Sequence, residues 1–445
     1  MNATARLGTF LASYARTPLP PDIRARAAGC LIDTLGIALG ARDEATAQAV
    51  AGLSGRTVDG SNARQWIDRR PVSLADAVIA NTVLAHAHFH DDSCHSSWTH
   101  PGSLIVPLAV ALGEAAEASV DDVLKSLVAG YVTLAWLGAD EAVARPLIRR
   151  GFRGSPAFGT IGAAATAAVA LGLAAEAATH AIAIAATTTG GILEPVRAGS
   201  DEWRLQNARA AHGGLFAALA ARAGVRGAPN ALEGDRGFLR AFAGLEQAPA
   251  AWSEPPDPHA MHHAMAKPYA TLGDNMAPTI AAKIAHGEGI DPSRIEAVEV
   301  TIWRPYIEYP GVAFKGPFDT VIQALASAPF SVAAMLVHGR LGFDIPDRLR
   351  RDPTILRIAD LVQLEPHDGE YLDAEIAVTL TDGRVVNGAA SRAPRTWIFQ
   401  DRATATEIFE QRLTTLGRDA ASASTLATEI FETSPPIGEI LDRLL

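Results

Sequence analysis

The stretch IGAAATAAVALGLAAEAATHAIAIAATTTGGI, which spans Ile161 to Ile192, decides the fold of this chain. It is the most apolar part of the sequence, and it is dominated by alanine, the residue with the highest helix propensity. Glu176 and His180 interrupt it, so its uninterrupted apolar runs are shorter than the ~20 residues that a membrane span needs. The stretch therefore predicts helices buried in a protein core, and we expect no association with a membrane.

The same Ala- and Leu-rich helical style extends outward, from residue 1 to about residue 250. DIRARAAGCLIDTLGIALGA, which begins at Asp22, and SLADAVIANTVLAHA, which begins at Ser73, place apolar residues at helical spacing. Ser73 is of a residue type that commonly caps a helix N-terminus. These segments predict a multilayered helical domain.

The style changes near Pro255, where the polar and Pro-rich passage WSEPPDPHAMHHAMAKPYA predicts a crossover between domains. IEAVEVTIW, at 295–303, alternates as a half-buried strand does. AEIAVTLTDGRVVNGAA, at 374–390, indicates two strands joined by the turn dipeptide Asp382-Gly383. PFSVAAMLVHG and DPTILRIADLVQL are helical patterns between these strands, and the tail from Ala403 is helical again.

These patterns predict a mainly α protein with an α+β part. We expect a large all-helical domain built from both chain ends, residues 1–255 and 398–445, and a smaller α+β domain, residues 256–397. More than one core is also expected from the length of 445 residues, because single cores rarely grow beyond ~250–300 residues.

Composition excludes several classes of function. The net charge of −11 argues against a nucleic-acid partner, because such proteins usually carry a basic face. The two cysteines, Cys30 and Cys94, cannot form a disulfide scaffold and favour a reducing compartment. The first twenty residues lack the features of a signal peptide, so we predict a cytoplasmic protein.

Chemistry is indicated by HAHFHDDSCHSSWTH, which runs from His86 to His100 and holds five of the thirteen histidines. Three interpretations are open: a proton-transfer site, a metal site, and a polar helix end. A metal site is the least favoured, because no H-E-x-x-H is present. An acid/base site is favoured because Asp91, Asp92 and His100 lie beside the turn His100-Pro101-Gly102, which can project the imidazole.

Three further stretches offer cations. Arg153 lies in a Gly- and Ser-rich segment just before an Ala-rich helix, where backbone amides can hold an anion. Arg204 and Gln206 lie with Trp203 at the start of another apolar helix, and arginine is the preferred partner of a carboxylate. Lys267 follows the crossover and is expected to point into a cleft between domains.

Seven motifs line up in order with one known family. They are CLIDTLGIALGA, ANTVLAHA, the Asp-Asp followed by His-Pro, GTIGAAATAAVALGL, AAHGGLFAALAA, LEGDRGF at 232–238 and KPYA from Lys267. On these motifs the chain resembles the MmgE/PrpD family, which includes 2-methylcitrate dehydratase, cis-aconitate decarboxylase and iminodisuccinate epimerase. The resemblance implies an active site between the two domains, a homodimer and no cofactor.

The chain is a divergent member by this comparison. The family pattern H-A-L-D-F-D-D becomes His86 to Asp92, so its first Asp, catalytic in the decarboxylase, is Phe89 here. The two following acids survive as Asp91 and Asp92, and the proton-transfer histidine of the His-Pro pair survives as His100.

Other family positions change as well. The family's G-F-H reads Gly151-Phe152-Arg153 in this chain, its Lys is Trp203, and its His is Gln206. The arginine that commonly follows K-P-Y is Gly273, whereas the lysine itself survives as Lys267. These changes predict a substrate that is still anionic but differs from the family's tricarboxylates.

We therefore predict an enzyme without cofactor or metal that moves a proton next to a carboxylate of a small di- or tricarboxylate. His100 is the expected general base or acid, with Asp91 or Asp92 setting its tautomer, and Lys267 completes the catalytic set. The residues assigned to substrate binding are Arg153, Trp203, Arg204, Gln206 and Tyr269.

Two alternatives stay open. A catalytically degenerate, carboxylate-binding protein is suggested by Phe89, Trp203 and Gln206, and a His/Asp metalloenzyme is less favoured. The sequence names neither the substrate nor the choice among dehydration, decarboxylation and epimerisation. It also leaves the roles of His88, His90 and His95 open.

Overall fold

The computed structural model describes residues 1–55 and 63–445, and the first half of the chain is helical. Only short two-residue strands interrupt these described helices: β1 Ala63–Arg64, β2 Pro71–Val72 and β3 Ser93–Cys94. The helices are α1 Ala3–Tyr14, α2 Pro21–Gly40, α3 Ala45–Ala51, α4 Leu74–His86, α5 Pro101–Ala115, α6 Val120–Gly138, α7 Ala144–Arg149, α8 Gly154–Ala170, α9 Ala175–Thr188, α10 Glu194–Ala198 and α11 Trp203–Arg222.

The alanine-rich stretch forms most of α8 and all of α9, which are separated at Gly172, a residue with a φ of +61°. Helix α8 packs against α6, α9 and α11, and its alanines are buried. The approach of α11 is close: a Cβ at Gly214 would lie 2.5 Å from the amide nitrogen of Ala164 and 2.6 Å from the carbonyl oxygen of Thr160. Small side chains on both helices therefore set this spacing, and the prediction of buried helices is confirmed.

Along the described chain, every helix falls short of the length and apolarity that a bilayer crossing requires.

The second part of the chain combines helices with one larger sheet. It contains β4 Ala264–Met265, α12 Met276–His286, β5 Ile295–Trp303, α13 Arg304–Ile307, α14 Val321–Ala326, α15 Ala328–His338, α16 Asp344–Arg348, α17 Pro353–Leu361, β6 Val362–His367, β7 Glu375–Leu380 and β8 Val385–Ala389. The sheet has the order β6-β5-β7-β8, in which β5 and β6 are parallel and the other pairs antiparallel. The strand at 295–303 and the hairpin at Asp382-Gly383, where Gly383 has a φ of +81°, are confirmed.

The sequence pattern does not predict strand β6, because VQL continues the helical pattern of DPTILRIADLVQL. The apolar residues of α17 continue into it without a Gly or Pro between them. Its conformation depends on the parallel pairing of Val362 with Val298 on β5, a contact that local sequence does not show.

The tail returns to the helical part as α18 Arg402–Thr415, α19 Ala420–Glu432 and α20 Ile437–Leu444. Helices α18 and α19 pack on α2, and α20 packs on α5. Phe409 and Leu441 of the tail share one apolar core with Leu31 of α2 and Leu108 of α5. The predicted fold class, mainly α with both chain ends in the helical part and a smaller α+β part, is confirmed; the residue boundaries proposed for the two domains stay a prediction.

Candidate active site

The histidine-rich segment forms the loop between α4 and α5, at residues 87–100. Strand β3 of this loop pairs antiparallel with β4 at the crossover, so that Ser93 faces Met265 and Cys94 faces Ala264. The pairing brings the loop together with the segment that carries Lys267. Sequence-distant residues of the helical and α+β parts therefore meet around one loop.

His86, at the end of α4, links an acid to an arginine. Its Nδ1 lies 2.9 and 3.0 Å from the two carboxylate oxygens of Asp91, and a terminal nitrogen of Arg153 lies 2.7 Å from its Nε2. Because a guanidinium can only donate, Nε2 must accept, and the proton of the neutral ring must be on Nδ1. Burial lowers the pKa of His86 to about 4, which agrees with a neutral imidazole.

Asp91 is ionised in this arrangement. Burial opposes its ionisation, but the contact with His86 and the charge of Lys267 hold its pKa well below the ordinary value. We call Asp91, His86 and Arg153 the paired cluster. All three side chains are buried, and each polar end meets another member.

The other donors of Arg153 are also used within the protein. One terminal nitrogen donates to the carbonyl of Trp203 at 2.7 Å and to Oε1 of Gln206 at 3.3 Å. Nε2 of Gln206 in turn donates to the carbonyl of Ile192 at 3.0 Å. Arg153 therefore fastens the start of α8 to α11 and to His86, and its terminal nitrogens contact protein atoms where a substrate carboxylate was expected.

Phe89 fills the centre of the region. Its ring centroid lies 4.9 Å from that of His100 and 5.1 Å from that of Trp203, and the Nζ of Lys267 lies 4.6 Å from it. Lys267 also donates to the carbonyl of Phe89 at 2.6 Å. Burial lowers the pKa of this lysine to about 8, against the pull of nearby carboxylates. The ring of Phe89 therefore lies beside Lys267, at the position where the family that this chain resembles has a carboxylate.

The two remaining residues assigned to substrate binding lie elsewhere. Arg204 donates to the carbonyl of Ala87 at 3.1 Å and to Asp201 at 2.9 Å, with its guanidinium 4.2 Å from the Trp203 ring centroid. Tyr269 packs in an apolar cluster around Met265, Ile280 and Ile398, and burial raises its pKa to about 12. Neither side chain is among those that line the cavity beside His100.

His100 is the residue that immediately precedes α5, and contacts at its Nδ1 fix the orientation of its ring. Nδ1 lies 3.1 Å from the carbonyl oxygen of Asp92 and 3.2 Å from the hydroxyl of Ser93. A carbonyl can only accept, so Nδ1 carries the proton and Nε2 keeps a lone pair. Burial and then the charge of Lys267 hold the pKa of His100 well below its ordinary value, so the imidazole is neutral.

We expected the carboxylate of Asp91 or Asp92 to set this tautomer; the backbone carbonyl of Asp92 does so instead. Asp91 is taken up by His86. The carboxylate of Asp92 accepts from the amide of Gly102 at 2.6 Å and from the hydroxyl of Tyr131 at 2.7 Å. Burial raises the pKa of Asp92 to about 7.

A small cavity of about 40 Å³ lies beside His100. It has room for roughly three water molecules, at ~10–15 Å³ each on this measure. Its walls come from the loop, the crossover and the region after β5: Ser93, Cys94, His95, Trp98, Thr99, His100, Met265, Leu272, Gly273, Asp274, Tyr306 and Tyr309. Within the described residues, Nε2 of His100 has no hydrogen-bond partner.

The cavity shares Trp98 and Tyr309 with a wider cleft of about 410 Å³. Arginines line this cleft, and the side chains of Arg149 and Arg197 are 68% and 74% exposed. The cleft therefore offers cations next to a cavity whose own lining contains neither lysine nor arginine.

Sequence reasoning missed four polar residues near the cavity. Nε2 of His95 lies 2.6 Å from Glu141, and its Nδ1 lies 2.8 Å from the hydroxyl of Tyr306. Asp274 has an oxygen, Oδ1, that is buried without a hydrogen-bond partner in the described chain. The available sequence signal for Asp274 was its place at the end of KPYATLGD, the stretch that begins with Lys267. We call His100, His95, Tyr306 and Asp274 the cavity group.

The remaining histidines of the loop contact other parts. His88 stacks on Phe343 with ring centroids 3.8 Å apart, and burial lowers its pKa to about 4. His90 has a buried Nε2 without a partner among the described residues. Within residues 1–55 and 63–445, the group with metal-ligand spacing is Asp22, His259 and His262 rather than the loop histidines.

Comparisons with known proteins agree with the resemblance noted from the motifs. A model of the MmgE/PrpD N-terminal domain matches residues 5–250. The chain is 29% identical over 255 residues to the cis-aconitate decarboxylase-like protein oryM of Aspergillus oryzae. That match covers 54% of this chain and 51% of the relative, so the chain spans about half the length of that protein.

Proposed function

The chain belongs to the MmgE/PrpD family, and from this premise we propose that it is a cofactor-independent lyase that moves a proton at a carbon next to a carboxylate. The family and the decarboxylase-like relative together support a lyase of the dehydratase or decarboxylase type. Epimerisation begins with the same proton abstraction and is the third possible outcome. The substrate is proposed to be a small anionic molecule.

One observation carries the proposal: His100 lines a cavity, and its Nε2 has no hydrogen-bond partner among the described residues. Its Nδ1–H is engaged by the carbonyl of Asp92 and by Ser93, so the lone pair on Nε2 is available for a proton. A neutral imidazole in this position has the form that a general base needs. The charge of Lys267 lowers the pKa of the ring and so keeps it neutral.

The substrate carboxylate is proposed to lie toward the wider cleft. The guanidinium groups of Arg153 and Arg204 are buried and engaged with protein atoms. Those of Arg149 and Arg197 are exposed in the cleft, where they pair with Glu308 and Glu194, so a substrate carboxylate would compete with these two glutamates for them. The reacting carbon then enters the cavity between Trp98 and Tyr309. A cavity of about 40 Å³ is too small for a whole tricarboxylate, so a smaller reacting end is favoured.

His100→Ala tests the proposal. Wild type and variant are incubated with 2-methylcitrate, cis-aconitate and iminodisuccinate in D₂O, and deuterium incorporation and product are followed by NMR. We expect the variant to lose about 10²–10⁴-fold of the wild-type rate, because the base is gone. The melting temperature should fall only slightly, because the variant loses the contacts of Nδ1 with Asp92 and Ser93 whereas Nε2 has no partner to lose.

The matched control is His338→Ala, which removes an exposed imidazole at the end of α15. It should exchange and turn over at the wild-type rate. Wild-type turnover in His100→Ala would refute the assignment of the base. Absence of exchange and product in wild type, with these three compounds and with a panel of other small di- and tricarboxylates, would refute the lyase proposal itself.

A second candidate is carboxylate binding without turnover. It is favoured by Phe89, whose buried ring stands where the resembling family places a catalytic acid. The same incubation separates the two: a rise in melting temperature with any of these compounds, but no deuterium incorporation, supports the binding protein.

A further inference from the structure

We propose that Asp274 is the second catalytic residue of this site and acts as the general acid opposite the base His100. The proposal rests on the proposed function. It assigns a residue outside the motifs that carry the family resemblance, and it gives the paired cluster no direct part in the chemistry.

The local chain places Asp274 on the cavity wall. It lies in the turn Gly273–Asn275 that leads into α12. Gly273 comes so close to Ser93 that a Cβ there would lie 2.9 Å from the Ser93 hydroxyl, the group that holds His100. The segment carrying Asp274 is therefore pressed against the segment that fixes the base, and both residues line one cavity.

The bonding state of Asp274 differs from that of the two buried acids of the loop. Asp91 is held by His86, and Asp92 by Gly102 and Tyr131. Oδ1 of Asp274 is buried and has no partner in the part of the chain described. An ionised carboxylate in such a place is costly, whereas a protonated one keeps a proton that it can give to a ligand.

The surroundings of Asp274 support a protonated state. Burial raises its pKa to about 6, against its own backbone amide, His95 and Lys267, which lower it, and with a smaller contribution from Glu141, which raises it. Groups from every neighbouring element surround this carboxyl: His95 and His100 from the loop, Lys267 from the crossover, Glu141 after α6, and Tyr306 and Tyr309 after β5.

Tyr306 is a weaker candidate for the acid. Its hydroxyl already contacts Nδ1 of His95 at 2.8 Å, and burial raises its pKa well above the ordinary value. It releases a proton with much more difficulty than a carboxylic acid does. Tyr306 and the contact between His95 and Glu141 therefore serve to form the wall on which Asp274 lies.

The two residues account for an elimination of water with balanced atoms. Nε2 of His100 takes the proton from the carbon next to the carboxylate, and the electron pair of that C–H bond forms the C=C bond. The C–O bond at the neighbouring carbon breaks, and the hydroxyl leaves as water with the proton from Asp274. His100 ends protonated and Asp274 ionised, and solvent carries the proton back between them.

The pair of His100 and Asp274 predicts how the activity depends on pH. The active form has neutral His100 and protonated Asp274. Burial holds the pKa of His100 well below its ordinary value, while burial raises that of Asp274 to about 6. Activity should therefore fall as the pH rises through about 6, where Asp274 ionises. Groups whose surroundings separate their pKa values in this way are typical acid/base partners.

Asp274→Asn is the test, with product formation and deuterium exchange measured between pH 4.5 and 8.5 on whichever of the three compounds wild type processes. We expect product formation to fall about 10²–10⁴-fold, while exchange of the substrate proton continues because His100 is intact. The residual activity should no longer decline above pH 6. Asp274→Glu, which keeps a carboxyl, should restore part of the rate and the decline.

Asp373→Asn, an exposed change in the α+β part, is the matched control and should behave as wild type. Product formation by Asp274→Asn within threefold of wild type overturns the assignment, and so does joint loss of exchange and product in a folded variant. If Asp274→Asn does not fold, Asp274→Glu provides the test. The assignment is then overturned if Asp274→Glu has the wild-type rate but its activity does not decline above pH 6. The proposed function fails separately, through His100→Ala or through the absence of exchange in wild type.

Discussion

The paired cluster and the cavity group lie on two sides of the same loop and differ in one respect. In the paired cluster, both ring nitrogens of His86, both oxygens of Asp91 and the terminal nitrogens of Arg153 have partners. In the cavity group, Nε2 of His100 and Oδ1 of Asp274 have none within the described chain. Buried polar groups whose hydrogen bonds are all formed stabilise a fold. Polar groups that lack a partner, on residues that line a cavity, are available for chemistry.

Removing the arginine of the paired cluster should produce the largest effect on stability. Arg153→Ala leaves Nε2 of His86 and the carbonyl of Trp203 buried without their donor and removes a positive charge near ionised Asp91, so we expect a loss of about 3–5 kcal/mol in the free energy of unfolding. Urea denaturation followed by circular dichroism measures it. Arg222→Ala, at the exposed end of α11, is the control. A loss below about 1 kcal/mol would mean that the cluster is not structural and would remove the contrast between the two regions.

Asp92→Asn tests whether the carboxyl group of Asp92 has a structural role. Its pKa of about 7 in the folded protein is above the unfolded value near 4, so its stabilising contribution is full below about pH 4 and is lost as the pH rises through about 7. Asparagine does not ionise. Relative to the variant, wild type should therefore lose up to about 1.4 kcal/mol per pH unit in this window.

Urea midpoints at pH 5, 6, 7 and 8 provide this measurement. The lost bond to Tyr131 shifts the variant's curve by a constant amount and does not change its slope. Asp235→Asn, an exposed change, should run parallel to wild type. Parallel curves for Asp92→Asn and wild type would contradict the raised pKa of Asp92.

The smallest effect is expected where the cavity group is held by two contacts at once. Ser93→Ala removes one partner of Nδ1 of His100 and leaves the carbonyl of Asp92 in place. We expect a loss of about 1 kcal/mol of positioning, which is about fivefold in kcat, with KM nearly constant. Ser97→Ala, a buried change in the same loop that pairs with Thr99, is the control. A loss as large as that of His100→Ala would place the hydroxyl itself in the chemistry.

The fold was predictable where local patterns agree with the final packing. Alternation marked β5, and Asp382-Gly383 marked the hairpin of β7 and β8, because both signals are carried by neighbouring residues. Strand β6 was missed because its conformation comes from parallel pairing with a strand more than fifty residues earlier. Nothing in VQLEPH separates that outcome from a longer α17.

The candidate site was predictable only in part. The turn after His100 and the loop around it follow from the sequence, but the partner of each acid does not. His86 and Asp91 are five residues apart, and their contact depends on how α4 ends, while Arg153 reaches them from another helix. Arginine and lysine attract attention as substrate ligands in a sequence, yet here burial commits Arg153 and Lys267 to protein atoms.

Trp98 gives the molecule an internal optical reporter. Its backbone is left-handed, with a φ of +52°, and its indole forms part of the wall between the cavity and the arginine-lined cleft. Its Nε1 is buried without a hydrogen-bond partner in the described chain, so a ligand on either side changes the polarity around the ring. Indole emission follows that polarity, and the difference between wild type and Trp98→Phe separates its signal from those of the other six tryptophans. Ligand entry can therefore be followed by tryptophan fluorescence, before any product is known.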